Sequence, residues 1–196
     1  IQTISGNLLF SLNIHDATMK NPHIFDDESM LIIDHAKLFY SPLSLVRAKG
    51  DIAKAIRNIK ISKLSLYAIR NQQDKWNLLA LIPKSNPDKE PIPPTFSGKI
   101  FIDSFNVHLF DYKGWGAELL EHPFVSHFYD MNATLDFVRT TEADIVCTLD
   151  NETALEGLFN VINGQYRFSF QFNNLPMDLW GKYVFPFKNF LFSDAF

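Results

Sequence analysis

The chain has 196 residues, enough for one or two domains with a sizeable core, and its 46% apolar and 20% charged content is that of an ordinary folded protein. A net charge of -4 with scattered lysines and arginines excludes the cationic stripe that nucleic-acid binding needs, and the single cysteine, Cys147, excludes an intrachain disulfide. Phenylalanine is the outlier, with 19 copies against 6 Tyr and 3 Trp, so much flat apolar surface has to be buried in a core or against a ligand.

Leu8, Phe10, Leu12 and Ile14 alternate with polar residues, Leu9 alone breaking the pattern, and predict a half-buried strand ending near Asp16. Asn21-Pro22 and Asp26-Asp27 punctuate a short extended piece, and Met30 to Tyr40 predicts a second strand. Ser41-Pro42 has the N-cap and first-position chemistry of a helix start; the helix would run to Arg57 with Leu45, Ala48, Ile52, Ala55 and Ile56 on one face, weakened or divided by Gly50. Ile59 to Arg70 reads as a strand whose apolar phase changes from Ile59 and Ile61 to Leu64, Leu66 and Ala68. The slip falls at Ser62 and Lys63, as a bulge would make it. A polar turn, Asn71 to Lys75, leads into a short apolar helix from Trp76 to Ile82, which Pro83 ends.

Residues 84–95 are Pro-rich and charged and form a linker or a long loop. Beyond them, Phe101, Phe105, Val107 and Leu109 predict one face of a long strand, followed by the glycine-punctuated loop Asp111 to Ala117 and a helical turn between Ala117 and Tyr129. Tyr129 to Val138 and Ala143 to Leu149 flank a hairpin connection at Arg139 to Glu142. Asn163-Gly164 is a type I′ turn signal joining Thr153–Ile162 to a strand in which Tyr166, Phe168, Phe170 and Phe172 alternate strictly with polar residues. Leu175 to Val184 reads as helical. This order predicts an N-terminal β/helix region over 1–83 and a β-rich region over 96–196 that continues the same sheet.

Catalytic patterns are absent from the sequence. The six histidines are spread out, and the Glu118, His122, His127 spacing does not place both imidazoles on one helical face. No paired-Cys, His-Glu-x-x-His or phosphate-loop motif occurs, and Gly114-Trp115-Gly116 lacks the partners of a dinucleotide site. Asp103, Asp111, Asp136, Asp144 and Asp150 fall at strand ends or wet positions, and nothing selects one as an acid or base. Asn132-Ala133-Thr134 and Asn151-Glu152-Thr153 fit the short glycosylation pattern. Cys147 alternates with Ala143, Ile145 and Leu149 and reads as a small buried hydrophobe. The expectation is a non-enzyme with no metal and no cofactor.

The run from Ile59 through Trp76-Asn77-Leu78-Leu79-Ala80-Leu81-Ile82-Pro83, the Pro-rich stretch, the strand from Phe96 to Asp111 and the opening Gly6-Asn7-Leu8-Leu9-Phe10-Ser11-Leu12-Asn13-Ile14 together resemble AsmA-like and TamB-like bacterial envelope proteins. The resemblance covers roughly the first 112 residues and weakly the rest. It implies a mainly β fold, a long antiparallel and strongly curved sheet shaped as a groove, with a few short helices. It also implies phospholipid transport between membranes and outer-membrane homeostasis, in the periplasm, from a parent chain anchored to the inner membrane. The implied lipid-binding residues are Leu8, Phe10, Leu12, Ile14, Phe101, Phe105, Val107, Leu109, Tyr166, Phe168, Phe170 and Phe172, and the partner is phospholipid or another acyl lipid. The start at Ile1, without a charged leader, reads as an excised fragment. A second implied role is an interaction module that assists outer-membrane β-protein assembly by strand addition. A carbohydrate-binding sandwich would display Trp and Tyr platforms, which the Phe excess speaks against.

Overall fold

A computed structural model of the chain describes residues 1–7, 10–25, 29–49, 52–81, 96–113, 123–139, 142–150, 152–162 and 165–173. These form one nine-stranded sheet whose strands lie side by side in chain order. They are β1 (Thr3–Asn7), β2 (Ser11–Lys20), β3 (Ser29–Tyr40), β4 (Ile56–Arg70), β5 (Gly98–Asp111), β6 (Phe124–Arg139), β7 (Glu142–Leu149), β8 (Glu152–Ile162) and β9 (Gln165–Phe172). The second half of the chain thus continues the sheet of the first. Among the described residues β1 and β9 end the order without pairing to each other, so the sheet is open. No helix among them is long and apolar enough to cross a membrane.

Every neighbouring pair is antiparallel except β4 and β5, which run parallel. The expectation of a long antiparallel sheet is corrected at that one pair, and the reason is connection length. Antiparallel strands need only a hairpin, whereas residues 71–97 provide the long crossover that a parallel pair requires.

Register partners build continuous apolar rows across the strands. Ile4, Ile14, Ala36, Ile61, Ile102, Ala133, Cys147 and Leu155 are successive partners from β1 to β8. Leu12, Leu38, Ile59, Ile100, Leu135 and Ile145 form a second row beside it. Because side chains alternate along a strand with period two, rows two residues apart share a face.

A polar seam crosses β2 to β6 and interrupts the ladders. Asp16 is not paired with Asp34, nor Asp34 with Lys63, His35 with Ser62, or Ser62 with Asp103, although the pairing resumes in unchanged register beyond each gap. Between β5 and β6 the register shifts at the same level, between Ile102 and Phe105. Asp16 and Asp130 both adopt positive φ, near 52°, a conformation that short polar side chains tolerate. Local side chains replace some of the missing ladder bonds. The Ser62 hydroxyl donates to the His35 carbonyl at 3.1 Å, and the Asp130 N–H donates to Asn106 Oδ1 at 2.9 Å. The Ser104 hydroxyl donates to the Asp130 carboxylate at 3.0 Å.

Past the seam the apolar phase changes, yet the apolar face does not. Leu64 and Met131 on one side belong to the same buried cluster as Ala36, Ile61, Ile102, Ala133 and Cys147 on the other, with Ile33, Phe105, Val107 and Phe128 packed against it. The phase slip anticipated at Ser62 and Lys63 is present. It is shared by adjacent strands and is not a one-residue bulge in one of them. β7 pairs only with the Asn132–Arg139 part of β6, so β7, β8 and β9 widen the sheet on one side of the seam.

Several local expectations are corrected. The N-terminal alternation is not one strand: Phe10 sits in the turn between β1 and β2, and β2 runs past Asp16 to Lys20. The helix over 42–57 is two short pieces, α1 (Pro42–Arg47) and α2 (Ile52–Ala55), and Ile56 and Arg57 already belong to β4. Ser41 does cap α1, its hydroxyl accepting the Ser44 N–H at 3.0 Å. The apolar segment after Trp76 is a 3₁₀ turn, Asn77–Leu81. Residues 124–129 are strand, because Phe124, Val125, Phe128 and Tyr129 favour extended backbone and Phe124 to Phe128 pair with β5. Residues 114–122 and the predicted helix over 175–184 lie outside the described residues, as does the Asn163-Gly164 turn. The Ile162 and Gln165 pairing nevertheless closes a two-residue connection there.

At the start of β5 the backbone of Gly98 presses on β4. A β-carbon there would stand 1.9 Å from the Arg57 carbonyl oxygen. Gly98→Ala is therefore expected to force the parallel pair apart and cost about 1–3 kcal/mol in a urea unfolding curve; an unchanged midpoint would contradict this packing.

Candidate functional site

The apolar face is the candidate site, and it takes only part of the predicted set. Leu12 and Ile14 lie on it through β2, and Phe105, Val107 and Leu109 lie on it beyond the seam. Ile14, Phe105 and Val107 pack on the buried cluster. Phe10 is 58% exposed in its turn and belongs to no row. Phe101 is on the opposite face: it is the partner of Lys60 and Thr134 and 38% exposed, between the face residues Ile100 and Ile102. The error came from carrying one alternation through Asp103 and Ser104, where the seam changes it. Leu8 lies outside the described residues. Tyr166, Phe168, Phe170 and Phe172 are in β9 with backbone partners Val161, Phe159, Gly157 and Leu155, and their side chains also lie outside the described residues.

Sequence reasoning missed Ala36, Ile59, Ile61, Ile100, Ile102, Met131, Ala133, Leu135 and Ile145 as members of one surface. Their alternation within each strand was visible. Which strands are neighbours, and in what register, was not.

No broad packing of another described element covers this face; the contacts run from each strand to its sequence neighbour, with α2 and the 3₁₀ turn touching β4. Cys147 is nevertheless only 2% exposed, and burial pushes its thiol pKa up to about 11, so it is a neutral apolar group. A cavity of about 270 Å³ lies elsewhere, lined by Asn21, Ile24, Phe25, Ile69, Asn71 and Tyr112 among others.

The opposite face carries charge and rings. Lys60 pairs with Asp103 at 3.1 Å and Lys99 with Asp136 at 2.7 Å. Asp136 and Asp144 are cross-strand partners. His122 and Glu118 lie outside the described residues; His127 meets His108, its partner on β5. Their Nδ1 atoms are 3.0 Å apart. Burial, with the neighbouring His127, holds His108 below the ordinary imidazole value.

The far end of the β4 and β5 pair is locked by polar groups. β3 pairs with β4 only as far as Leu66, and Asn77 takes over the exposed edge. Its Oδ1 accepts the Ile69 N–H at 2.8 Å, and its Nδ2 donates to the Tyr67 carbonyl and to Asn21 Oδ1, both at 2.7 Å. Thus the Asn of Trp76-Asn77-Leu78 acts as a one-residue substitute for a neighbouring strand, fully buried. Asp111, also fully buried, accepts from Arg70 at 3.2 Å and from the Lys113 N–H at 2.8 Å. Arg70 also binds Asp74, to which Lys113 donates at 2.9 Å.

No protein-family model matches the chain, and no curated protein matches it in sequence.

Asn77→Ala would strand the Tyr67 carbonyl and the Ile69 N–H at the β4 edge. The expected cost is about 2–4 kcal/mol by denaturant titration, with Asn71→Ala as a milder comparison. Asp74 is held below the usual carboxylate range by hydrogen bonds from Lys113 and then Arg70. A depressed carboxylate contributes stability above its unfolded pKa and loses it as pH falls through the folded one. Asp74→Asn should thus lower stability at neutral pH and flatten the acid limb below about pH 4; parallel pH profiles for the two proteins would refute the pairing.

Proposed function

We propose that this sheet shields phospholipid acyl chains along its apolar face, as a groove-like segment of an envelope protein that carries lipid between two membranes. The observation that carries the reading is the row from Ile4 to Leu155, apolar on every strand from β1 to β8, on a face with no second described layer. Strands lie about 4.8 Å apart, so the row runs on the order of 34 Å. One leaflet of a bilayer is about 15 Å of hydrocarbon, so acyl chains can lie along the row end to end. Each methylene kept from water gains about 0.8 kcal/mol, which is what a carrier must provide between membranes.

Strong curvature is part of the proposal. A single layer buries Ala133 and Cys147 when it bends so that its own side chains converge, and both are nearly inaccessible. The aromatic column of β9 extends the surface in this reading, since Phe172 is the backbone partner of Leu155. The resemblance of the Ile59–Pro83 run to AsmA-like proteins supports the same function, with the segment in the periplasm and the membrane anchor elsewhere in the parent chain.

A photo-crosslinking side chain placed in turn at Leu38, Ile100 and Ile145 on the apolar face, and at Lys37, Lys99 and Asp144 on the other, tests this with fluorescent phosphatidylethanolamine. Conjugates are expected at the first three positions alone. Equal labelling of both faces, or none on the apolar one, would leave the rows as plain core.

A further inference from the structure

We propose that His108 and His127 form a chelating site for a divalent transition-metal ion of tetragonal preference, Cu²⁺ or Ni²⁺, on the face opposite the apolar rows. The two residues are register partners on β5 and β6. With Nδ1 atoms 3.0 Å apart and metal–nitrogen bonds of about 2.0–2.1 Å, the angle at a shared metal is about 90–97°. That is the angle of a square-planar or octahedral ion; a tetrahedral ion needs nitrogens about 3.3–3.4 Å apart.

Ring orientation permits a shared ion. A metal lies in the plane of each imidazole that binds it, so the two planes must intersect. Those of His108 and His127 meet at 67°. The chain holds its own counterexample in His15 and His35, also cross-strand partners, whose rings stack 4.6 Å apart at 16°. Two nearly parallel planes share no point at bonding distance, so that pair cannot chelate.

The site is also held in place. Tyr67 stacks on His108 with centroids 4.5 Å apart and 12° between planes, and Phe110 meets the His127 ring edge to face at 5.8 Å. Fixed rings lose little freedom on binding. His127 is exposed, which leaves the remaining coordination positions to water. Without metal, the close Nδ1 contact is a hydrogen bond in which one ring donates and the other accepts. Metal replaces that proton, and the donor ring moves it to Nε2, so each imidazole binds the ion in its neutral form.

The test is calorimetric titration of the 196-residue chain with Ni²⁺ alone, beside His108→Ala, His127→Ala and the control His15→Ala, each checked by circular dichroism. One equivalent of Ni²⁺ should bind the parent chain and His15→Ala alike and bind the other two at least tenfold more weakly. His127→Ala decides the matter if loss of the stacked His108 ring disturbs folding. Pulsed electron paramagnetic resonance of the Cu²⁺-loaded parent chain reads the site without any variant: two equatorial imidazoles are expected. A single imidazole, or Ni²⁺ affinity equal across all four proteins, would overturn the proposal.

Discussion

The fold depends on the register of one parallel pair. From Asn58 with Lys99 to Arg70 with Asp111, β4 and β5 hold a single offset without a shift, and through it two antiparallel halves become one sheet. A slip of one residue would turn every side chain of β5 to β9 to the other face. Parallel pairing is slightly weaker per residue than antiparallel pairing, and its long crossover adds closure entropy, so the register needs other determinants. The seam is one. Ile61 and Leu64 flank Ser62-Lys63 just as Ile102 and Phe105 flank Asp103-Ser104, and any slip sets polar positions against apolar ones. Close contact at Gly98 and the Arg70–Asp111 pair fix the two ends.

How much of this was legible in the sequence follows from the range of the signals. Period-two alternation is local, so β3, β7, β8 and β9 were visible to within a residue or two, and the phase change at Ser62-Lys63 could be read directly. The same change at Asp103-Ser104 could have been read by the same rule, and overlooking it misplaced Phe101. Neighbour choice is not local. That β4 joins β5 in parallel depends on where a long crossover returns, and no spacing records it. Nor does a motif reveal that Asn77 serves the edge of β4: its carboxamide resembles that of any turn residue until β3 is known to stop pairing at Leu66.

Two kinds of polar residue do different work in this sheet. At the seam, Ser62 donates to the His35 carbonyl and Ser104, Asn106 and Asp130 bond with one another where the ladder lapses, so the interruption leaves fewer stranded backbone groups. At the strand end, Asn77 and Asp111 are buried outright, and each is satisfied by several partners at once. The second device lets β4 run on to Arg70, past Leu66, where β3 stops pairing with it. A plain hydrophobic substitution at these positions would keep volume and lose the hydrogen bonds, which is the costly direction of the exchange.

A sheet of one described layer differs energetically from a sandwich. In a sandwich, each inner side chain is covered by the facing sheet, and a buried Leu or Ile contributes about 1.5–3 kcal/mol. Here Ile14, Ile33, Ile59, Ile100, Leu135 and Ile145 pack on the cluster yet stay only partly buried. The sheet therefore holds apolar free energy in reserve, available to whatever covers the face. Small residues sharpen the point. Ala36, Ala133 and Cys147 are buried members of the longest row together with Ile61 and Ile102, so the apolar area still open comes from the larger side chains packed around them.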